Sequence, residues 1–185
     1  MIWVAMAGPS GAGKDSLLDA VRLDLAADKR FHFARRSITR PATAGGEAHE
    51  ALHAAAFAAL LAGGAFLLHW DAHGLRYGIR RSEVPDDKVV ILSLSRAVLM
   101  QAAGIRRLRV LEITAPRAIL AERLARRGRE TATQIEARLN REAQLPNDLD
   151  IVRIMNDGPL VVGASRLRRA LLDAASACAE GDFPP

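Results

Sequence analysis

Nine residues near the start of the chain constrain its fold more than any other segment: Gly8-Pro9-Ser10-Gly11-Ala12-Gly13-Lys14-Asp15-Ser16. Before them runs a short apolar stretch, Ile2 to Ala7, that reads as a buried strand. After them, Leu17, Leu18, Val21, Leu23 and Leu25 recur at roughly helical spacing. A glycine-rich turn between strand and helix, with a lysine where the helix starts, is the context of a phosphate-binding loop. Glycines let successive backbone N–H groups turn inward around phosphate oxygens, and the helix N-terminus adds partial positive charge. Lys14 supplies a point charge where negative charge accumulates during phosphoryl transfer. Gly8 through Ser16, that is Gly8, Pro9, Ser10, Gly11, Ala12, Gly13, Lys14, Asp15 and Ser16, are therefore expected to hold ATP.

One position departs from the usual loop. The residue after the lysine is ordinarily Ser or Thr, whose hydroxyl binds Mg²⁺; here it is Asp15. A carboxylate is a hard oxygen ligand that suits Mg²⁺ directly or through water. An acidic residue also favours the first turn of a helix on electrostatic grounds alone. Ser16 points about 100° further round the helix.

The rest of the chain alternates strand and helix signals. Strands are expected at Phe31–Ile38, at one or two short runs within Ala65–Tyr77, and at Val89–Leu94, Arg109–Ile113 and Ile151–Met155. Helices are expected at Leu52–Leu61, Ser95–Ala103, Arg117–Arg127, Glu136–Leu145 and Leu167–Ala179, with a polar loop from Thr39 to Glu50. Val89–Leu94 is continuously aliphatic, as a strand covered on both faces must be. The pattern predicts an α/β fold: a parallel five-stranded sheet with helices on both faces. We expect a single domain over 1–180, with a substrate-binding insertion near 35–82, a lid near 126–140 and a frayed tail at 181–185.

Composition narrows the function. The formal charge is +5, nearly all of the positive charge being arginine. The arginines are spread along the chain without the interleaved aromatics of a nucleic-acid stacking surface. Arginine also forms the bidentate fork that suits small phosphorylated molecules. No nucleic-acid partner is therefore expected. No run reaches the roughly 20 apolar residues of a membrane span, so no membrane partner is expected either. The lone Cys178 permits no intramolecular disulfide, and the N-terminus lacks a basic leader with a cleavage site. These features fit a cytoplasmic protein. The oligomeric state is left open, a homodimer included.

Further segments resemble guanylate kinases in the same order along residues 2 to about 160. Ser37-Ile38-Thr39-Arg40-Pro41 is similar to that family's first substrate-phosphate segment. Gly64-Ala65-Phe66-Leu67 and His73-Gly74-Leu75-Arg76-Tyr77-Gly78 resemble its second. Arg123 to Arg129 and Glu136 to Leu139 resemble its lid, and Asn156-Asp157 its adenine-side segment. The departures concern the base. The family's second phosphate arginine falls on Thr43, its guanine-reading glutamate on Leu68, and its aspartate pair on Ser93 and Ser95. A site lacking the polar partners of a base rejects that base strongly.

The combination resembles a sister branch, the ribose 1,5-bisphosphate phosphokinases of phosphonate breakdown. These share Gly13-Lys14-Asp15-Ser16, the Thr39-Arg40 and Gly45-Gly46-Glu47-Ala48-His49-Glu50 segment, Trp70 with Gly74-Leu75 and Tyr77-Gly78, and Ser95-Arg96. The resemblance implies ATP- and Mg²⁺-dependent phosphorylation of a small phosphorylated substrate, ribose 1,5-bisphosphate, to 5-phosphoribosyl 1-diphosphate. It implies substrate contacts from Ser37, Thr39, Arg40, Glu47, His49, Trp70, His73 and Tyr77, an ATP contact from Asn156, and catalytic roles for Lys14, Asp15, Arg127 and Arg138. Spacing alone leaves alternatives. Glu47, His49 and Glu50 could bind ribose hydroxyls or be solvated, and Trp70 and Tyr77 suit packing at least as well as stacking on a ligand. Rival readings are a nucleoside-monophosphate kinase with an altered base pocket and a catalytically silent binding module.

Overall fold

The computed structural model describes residues 1–41, 48–126, 128, 131–140 and 145–180, with the side chains of Arg138, Ala179 and Glu180 excepted. Its axis is β1 (Trp3–Ala7), buried along its whole length. Alternation along β1 feeds two apolar clusters. Val4 and Met6, with Ile2 before the strand, pack on one face; Trp3, Ala5 and Ala7 pack on the other. A strand with no solvent face can lie only inside a sheet covered on both sides.

That sheet has the order β2-β7-β1-β8-β9, with β2 at Phe31–Phe33, β7 at Val89–Ser93, β8 at Leu108–Thr114 and β9 at Asp150–Met155. Every pairing in it is parallel. Helix α1 (Lys14–Asp24) follows β1 and packs against α6 (Leu160–Glu180) over Leu17, Val21, Leu167 and Leu171, all fully buried. Helices α4 (Arg117–Arg126) and α5 (Ala132–Asn140) add Leu120, Leu124, Ile135 and Leu139 to the same cluster.

A second, four-stranded sheet has the order β4-β3-β6-β5, formed by β3 (Arg36–Ile38), β4 (Glu50–Ala51), β5 (Phe66–Ala72) and β6 (Leu75–Arg80). Helix α2 (Ala54–Ala62) precedes β5, and Phe57 on it stacks on Phe66 at 4.5 Å. The hairpin β5–β6 turns on His73 and Gly74, both at positive φ (53° and 72°), as a two-residue type I′ turn requires. Helix α3 (Leu99–Ile105) follows a short 3₁₀ turn, Arg96–Val98, after β7.

Three sequence expectations need correcting. Phe31–Ile38 is two strands in different sheets, because β2 pairs with Val89–Ile91 while β3 pairs with Glu50–Ala51 and Tyr77–Ile79. Helix α5 begins at Ala132, four residues before Glu136, and is described as far as Asn140; the expected continuation towards Leu145 runs into 141–144, outside the described residues. Thr131 caps it, its hydroxyl accepting from Gln134 N at 3.3 Å while the Gln134 side chain accepts from Thr131 N at 2.8 Å. The last helix begins at Leu160, seven residues before Leu167, immediately after Pro159. Thr43, Glu47, Arg127, Arg129, Arg141 and the tail at 181–185 lie outside the described residues, as does the Arg138 side chain.

Candidate active site

The loop from Gly8 to Gly13 joins β1 to α1 at the carboxyl end of the parallel sheet, where ligands of such folds bind. Gly8 has φ +138°, and a Cβ there would lie 2.0 Å from the Ile113 carbonyl oxygen. No side chain fits, so the loop can lie against β8 only as glycine. Ala12 N donates to Pro9 O at 3.3 Å, which tightens the turn. The Lys14 ammonium donates to the carbonyls of Gly8 (2.8 Å) and Pro9 (3.1 Å), folding it back across the loop.

Beside the loop lies a cleft of about 410 Å³ lined by Gly11, Gly13, Ser16, Arg123, Asn156 and Leu160, among others. Asp15 is not among its lining residues. Asp15 and Ser16 are successive residues of α1, and helical geometry sets them about 100° apart around its axis. Asn156, just past β9, is buried; its amide donates to Ala12 O at 2.7 Å, and Arg123 Nη1 reaches the same carbonyl at 3.5 Å.

On the opposite face, the second sheet presents its own polar cluster. Glu50 accepts from Ser37 Oγ at 2.5 Å and, bidentately, from Arg80 at 2.7 and 2.6 Å. Burial alone would push the Glu50 carboxyl up. The bonds from Ser37 and Arg80, with the charges of Arg80 and Arg35, outweigh it and hold the group below the ordinary glutamate value. Ser37 is itself buried, and its hydrogen is directed at Glu50.

His49, next to Glu50, meets Arg40 twice: Arg40 Nη2 lies 3.4 Å from Nδ1, and Nε2 lies 3.2 Å from the Arg40 carbonyl. Guanidinium can only donate and a carbonyl can only accept, so the ring carries its hydrogen on Nε2. The buried Nε of Arg40 meets no acceptor among the described residues. Such a donor is suited to an anionic oxygen that the protein itself does not supply. Thr39 Oγ1 accepts from Arg76 N at 2.8 Å and so ties the start of this segment to β6.

Trp70 and Tyr77 are cross-strand partners stacked at 5.4 Å with planes 7° apart, and the Arg36 guanidinium lies 5.3 Å from the Tyr77 ring centroid. Both rings are buried within the apolar cluster, which is the packing arrangement. His73 forms the hairpin turn, while His69 and Asp71 alternate outward on β5. Leu68 is fully buried in the same cluster as Trp70 and Tyr77. Ser93 is buried at the end of β7, and Ser95 Oγ accepts from Ala97 N at 3.4 Å to cap the 3₁₀ turn.

Two features escaped the sequence reading. Arg80 had no signal, since it stands thirty residues from its partner Glu50. Glu112 stands opposite Ala7 in the central sheet and holds Arg153 at 2.8 Å, with Arg96 at 3.9 Å. A lone carboxylate in the otherwise apolar stretch Val110–Ile113 was the legible clue to it.

A phosphate loop closing β1 of a five-stranded parallel sheet, with a second sheet packed into the apolar cluster on one face of it, defines a P-loop kinase of the guanylate-kinase type. The guanylate kinase of Anaplasma phagocytophilum superposes with a TM-score of 0.66 over 94% of this chain and 86% of its own, at 16% identity. A gluconokinase from Sinorhizobium meliloti 1021 gives 0.56, also at 16% identity. No family model matches the chain. Among curated proteins, the ribose 1,5-bisphosphate phosphokinase PhnN of Brucella melitensis is 48% identical over 171 residues, spanning 88% of this chain and 86% of its own. The corresponding protein of Methylobacterium radiotolerans is 44% identical over 169 residues, 89% of this chain and 93% of its own. The bifunctional ribose 1,5-bisphosphokinase-thymidine phosphorylase of Azorhizobium caulinodans is 47% identical over 170 residues, and the chain spans 24% of that longer protein. The chain belongs to the ribose 1,5-bisphosphate phosphokinase family.

Proposed function

We propose that this chain transfers the γ-phosphoryl group of ATP to ribose 1,5-bisphosphate, giving 5-phosphoribosyl 1-diphosphate and ADP in phosphonate breakdown. The observation that carries the reading is the joint presence of a glycine phosphate loop and, just past β3 of the second sheet, an Arg40 whose buried Nε meets no acceptor among the described residues. In the transfer, an oxygen of the acceptor's 1-phosphate forms the new bond to the γ-phosphorus. The bridging oxygen leaves with ADP. The acceptor oxygen is already ionised near neutral pH, so no general base is required, and catalysis reduces to positioning and to offsetting charge.

Lys14 would leave the Gly8 and Pro9 carbonyls for the β- and γ-phosphates. Arg40, Thr39 and His49 would hold the acceptor, with Glu47 and Ser37 in the same segment. Arg127 and Arg138 would reach over ATP from the lid near 126–140. Trp70, Tyr77 and His73 would shape the acceptor pocket rather than touch its reacting atoms. Among the described residues no cluster of three metal-binding side chains exists. Mg²⁺ keeps several waters and takes few carboxylates, so it needs no such cluster. Asp15 would hold the ion together with the ATP phosphates, and the ion would offset charge on their oxygens. No membrane or nucleic-acid partner enters this reading, and the use of ATP fits a cytoplasmic location. Among the described residues no helix is long and apolar enough to cross a membrane.

The test compares ribose 1,5-bisphosphate, ribose 5-phosphate and GMP as acceptors under ATP and Mg²⁺. Dominant turnover of the bisphosphate is expected, and dominant GMP turnover would overturn the acceptor assignment. Asp15→Ala is expected to raise the Mg²⁺ concentration needed for half-maximal rate more than it weakens nucleotide binding; the reverse pattern would remove Asp15 from the metal.

A further inference from the structure

Asn156 stands where three parts of the chain converge. Its backbone N–H donates to Thr114 O at the end of β8 (2.7 Å), and its side chain enters between the phosphate loop and α6. It is only 5% exposed. Two glycines leave it room. A Cβ at Gly13 would lie 2.6 Å from Asn156 Nδ2, and a Cβ at Gly163 on α6 would lie 2.6 Å from Oδ1. The amide therefore fills a slot bounded by backbone at both ends, and Nδ2 must face Ala12 because the carbonyl there can only accept.

We propose that Asn156 is a positioning residue for the phosphate loop rather than a reader of the nucleotide base. The Ala12 carbonyl and the Gly13 N–H belong to one planar trans peptide unit and point in opposite directions. Tying that carbonyl to Asn156 turns the Gly13 N–H the other way, which in a loop of this type is the phosphate side. Gly13 holds φ +86° at the start of α1, so this peptide would otherwise be free to flip between orientations. Arg123 reaches the same carbonyl at 3.5 Å, a longer contact from an arginine on α4. Asn156 borders the cleft, yet one of its two amide hydrogens is committed to the loop and its oxygen lies against Gly163 of α6, so the amide is held by the protein before any purine arrives. Through β9 and α6 it also couples the loop to the sheet edge and to the closing helix.

This inference rests on the reading of the cleft as an ATP site, and the experiment separates the two. Affinities for inorganic tripolyphosphate, ATP and GTP are measured by calorimetry on the full chain for the wild type, Asn156→Ala and Gly163→Ala, with thermal melting as a check on folding. A loop strut predicts that Asn156→Ala weakens tripolyphosphate and ATP by the same factor, about tenfold for a lost buried hydrogen bond, and leaves the ATP-to-GTP ratio unchanged. Gly163→Ala keeps every hydrogen-bonding group and presses its methyl on the amide (2.6 Å from Oδ1) and, less closely, on Leu17 Cδ2 (2.9 Å), so it should weaken all three ligands in the same proportion, with thermal melting reading the Leu17 contact separately. It also carries the test if Asn156→Ala fails to fold. In the double variant the two losses should not add, since they act through one contact. Unchanged tripolyphosphate affinity, with or without a lost preference for ATP over GTP, would overturn the proposal. A wild-type chain that binds neither tripolyphosphate nor ATP would overturn the kinase reading beneath it.

Discussion

The two halves of the molecule hold their functional groups in different ways. On the nucleotide side, the cluster behind the loop is almost wholly aliphatic, from Ile2, Val4 and Met6 to Leu167 and Leu171. The groups offered to a ligand there are mostly backbone, oriented by glycines at positive φ and by the Asn156 amide. On the side proposed for the substrate, the cluster contains Trp3, Trp70 and Tyr77, and the polar groups are side chains held by other side chains: Arg40 by His49, and His49's neighbour Glu50 by Ser37 and Arg80. A backbone cradle serves any polyphosphate, whereas a side-chain cradle can be re-cut for a new acceptor without disturbing the sheet. That is how a guanylate-kinase-like fold can take a different acceptor.

The largest effect should come from Lys14, on the backbone-built half. Lys14→Ala removes the charge proposed to meet the transferring phosphoryl group, and turnover should fall by about 10²–10³-fold in steady-state assays. A loss below tenfold would mean that the glycine cradle alone carries the charge, making the contrast between the halves sharper still. On the other half, Leu68→Glu would place a carboxylate at a fully buried position in an apolar cluster. Melting experiments should show a loss of several kcal/mol, without any gain of GMP turnover. A stable variant that phosphorylates GMP would show that base recognition is one residue away, and that the two halves are equally easy to rewrite.

The same contrast explains what the sequence made legible. A backbone phosphate site demands glycines and a lysine at fixed spacing in a contiguous stretch, so Gly8 to Lys14 could be read directly. The parallel sheet was legible too, because strands buried on both faces leave runs such as Val89–Leu94. The substrate side brings together Ser37, Glu50 and Arg80 from three strands, and no local pattern records that Arg80 meets Glu50. Phe31–Ile38 was read as one strand because β2 and β3 are separated by only Ala34 and Arg35, both tolerable in a strand; the change of sheet is a tertiary decision. The early start of α6 was missed because Val161, Val162 and Gly163 are weak helix formers; the two valines are exposed, and Gly163 alone of the three lies against Asn156 and Leu17.

A smaller effect should follow from loosening the side-chain cradle without breaking it. Glu50→Gln keeps the shape but removes the charge that binds Arg80 bidentately, and should destabilise the chain by about 1–2 kcal/mol. Because β4 is only two residues long, His49 and with it Arg40 should lose their fixed position. The expected signature is a raised KM for the acceptor with unchanged ATP affinity. An equal loss for both ligands would show that the halves are coupled rather than separable.

The smallest effect is a pH dependence that assigns the second sheet's share. Glu50 has a folded-state pKa below its ordinary value, set by Ser37 and Arg80 against the opposing effect of burial. Its contribution is therefore complete above the unfolded pKa of about 4.3. It is lost progressively as pH falls below that value and through the lower folded one, because the unfolded chain then binds more protons. The stability gap between wild type and Glu50→Gln should thus be full at neutral pH and close on acidification. Asp28, beside Arg30 on the surface, is also held low, so both proteins weaken together in acid, and only the gap between them isolates Glu50. A gap that stays constant through this range would mean that the Glu50 charge is not what stabilises the sheet, and that the substrate side, like the nucleotide side, is held mainly by its backbone pairing.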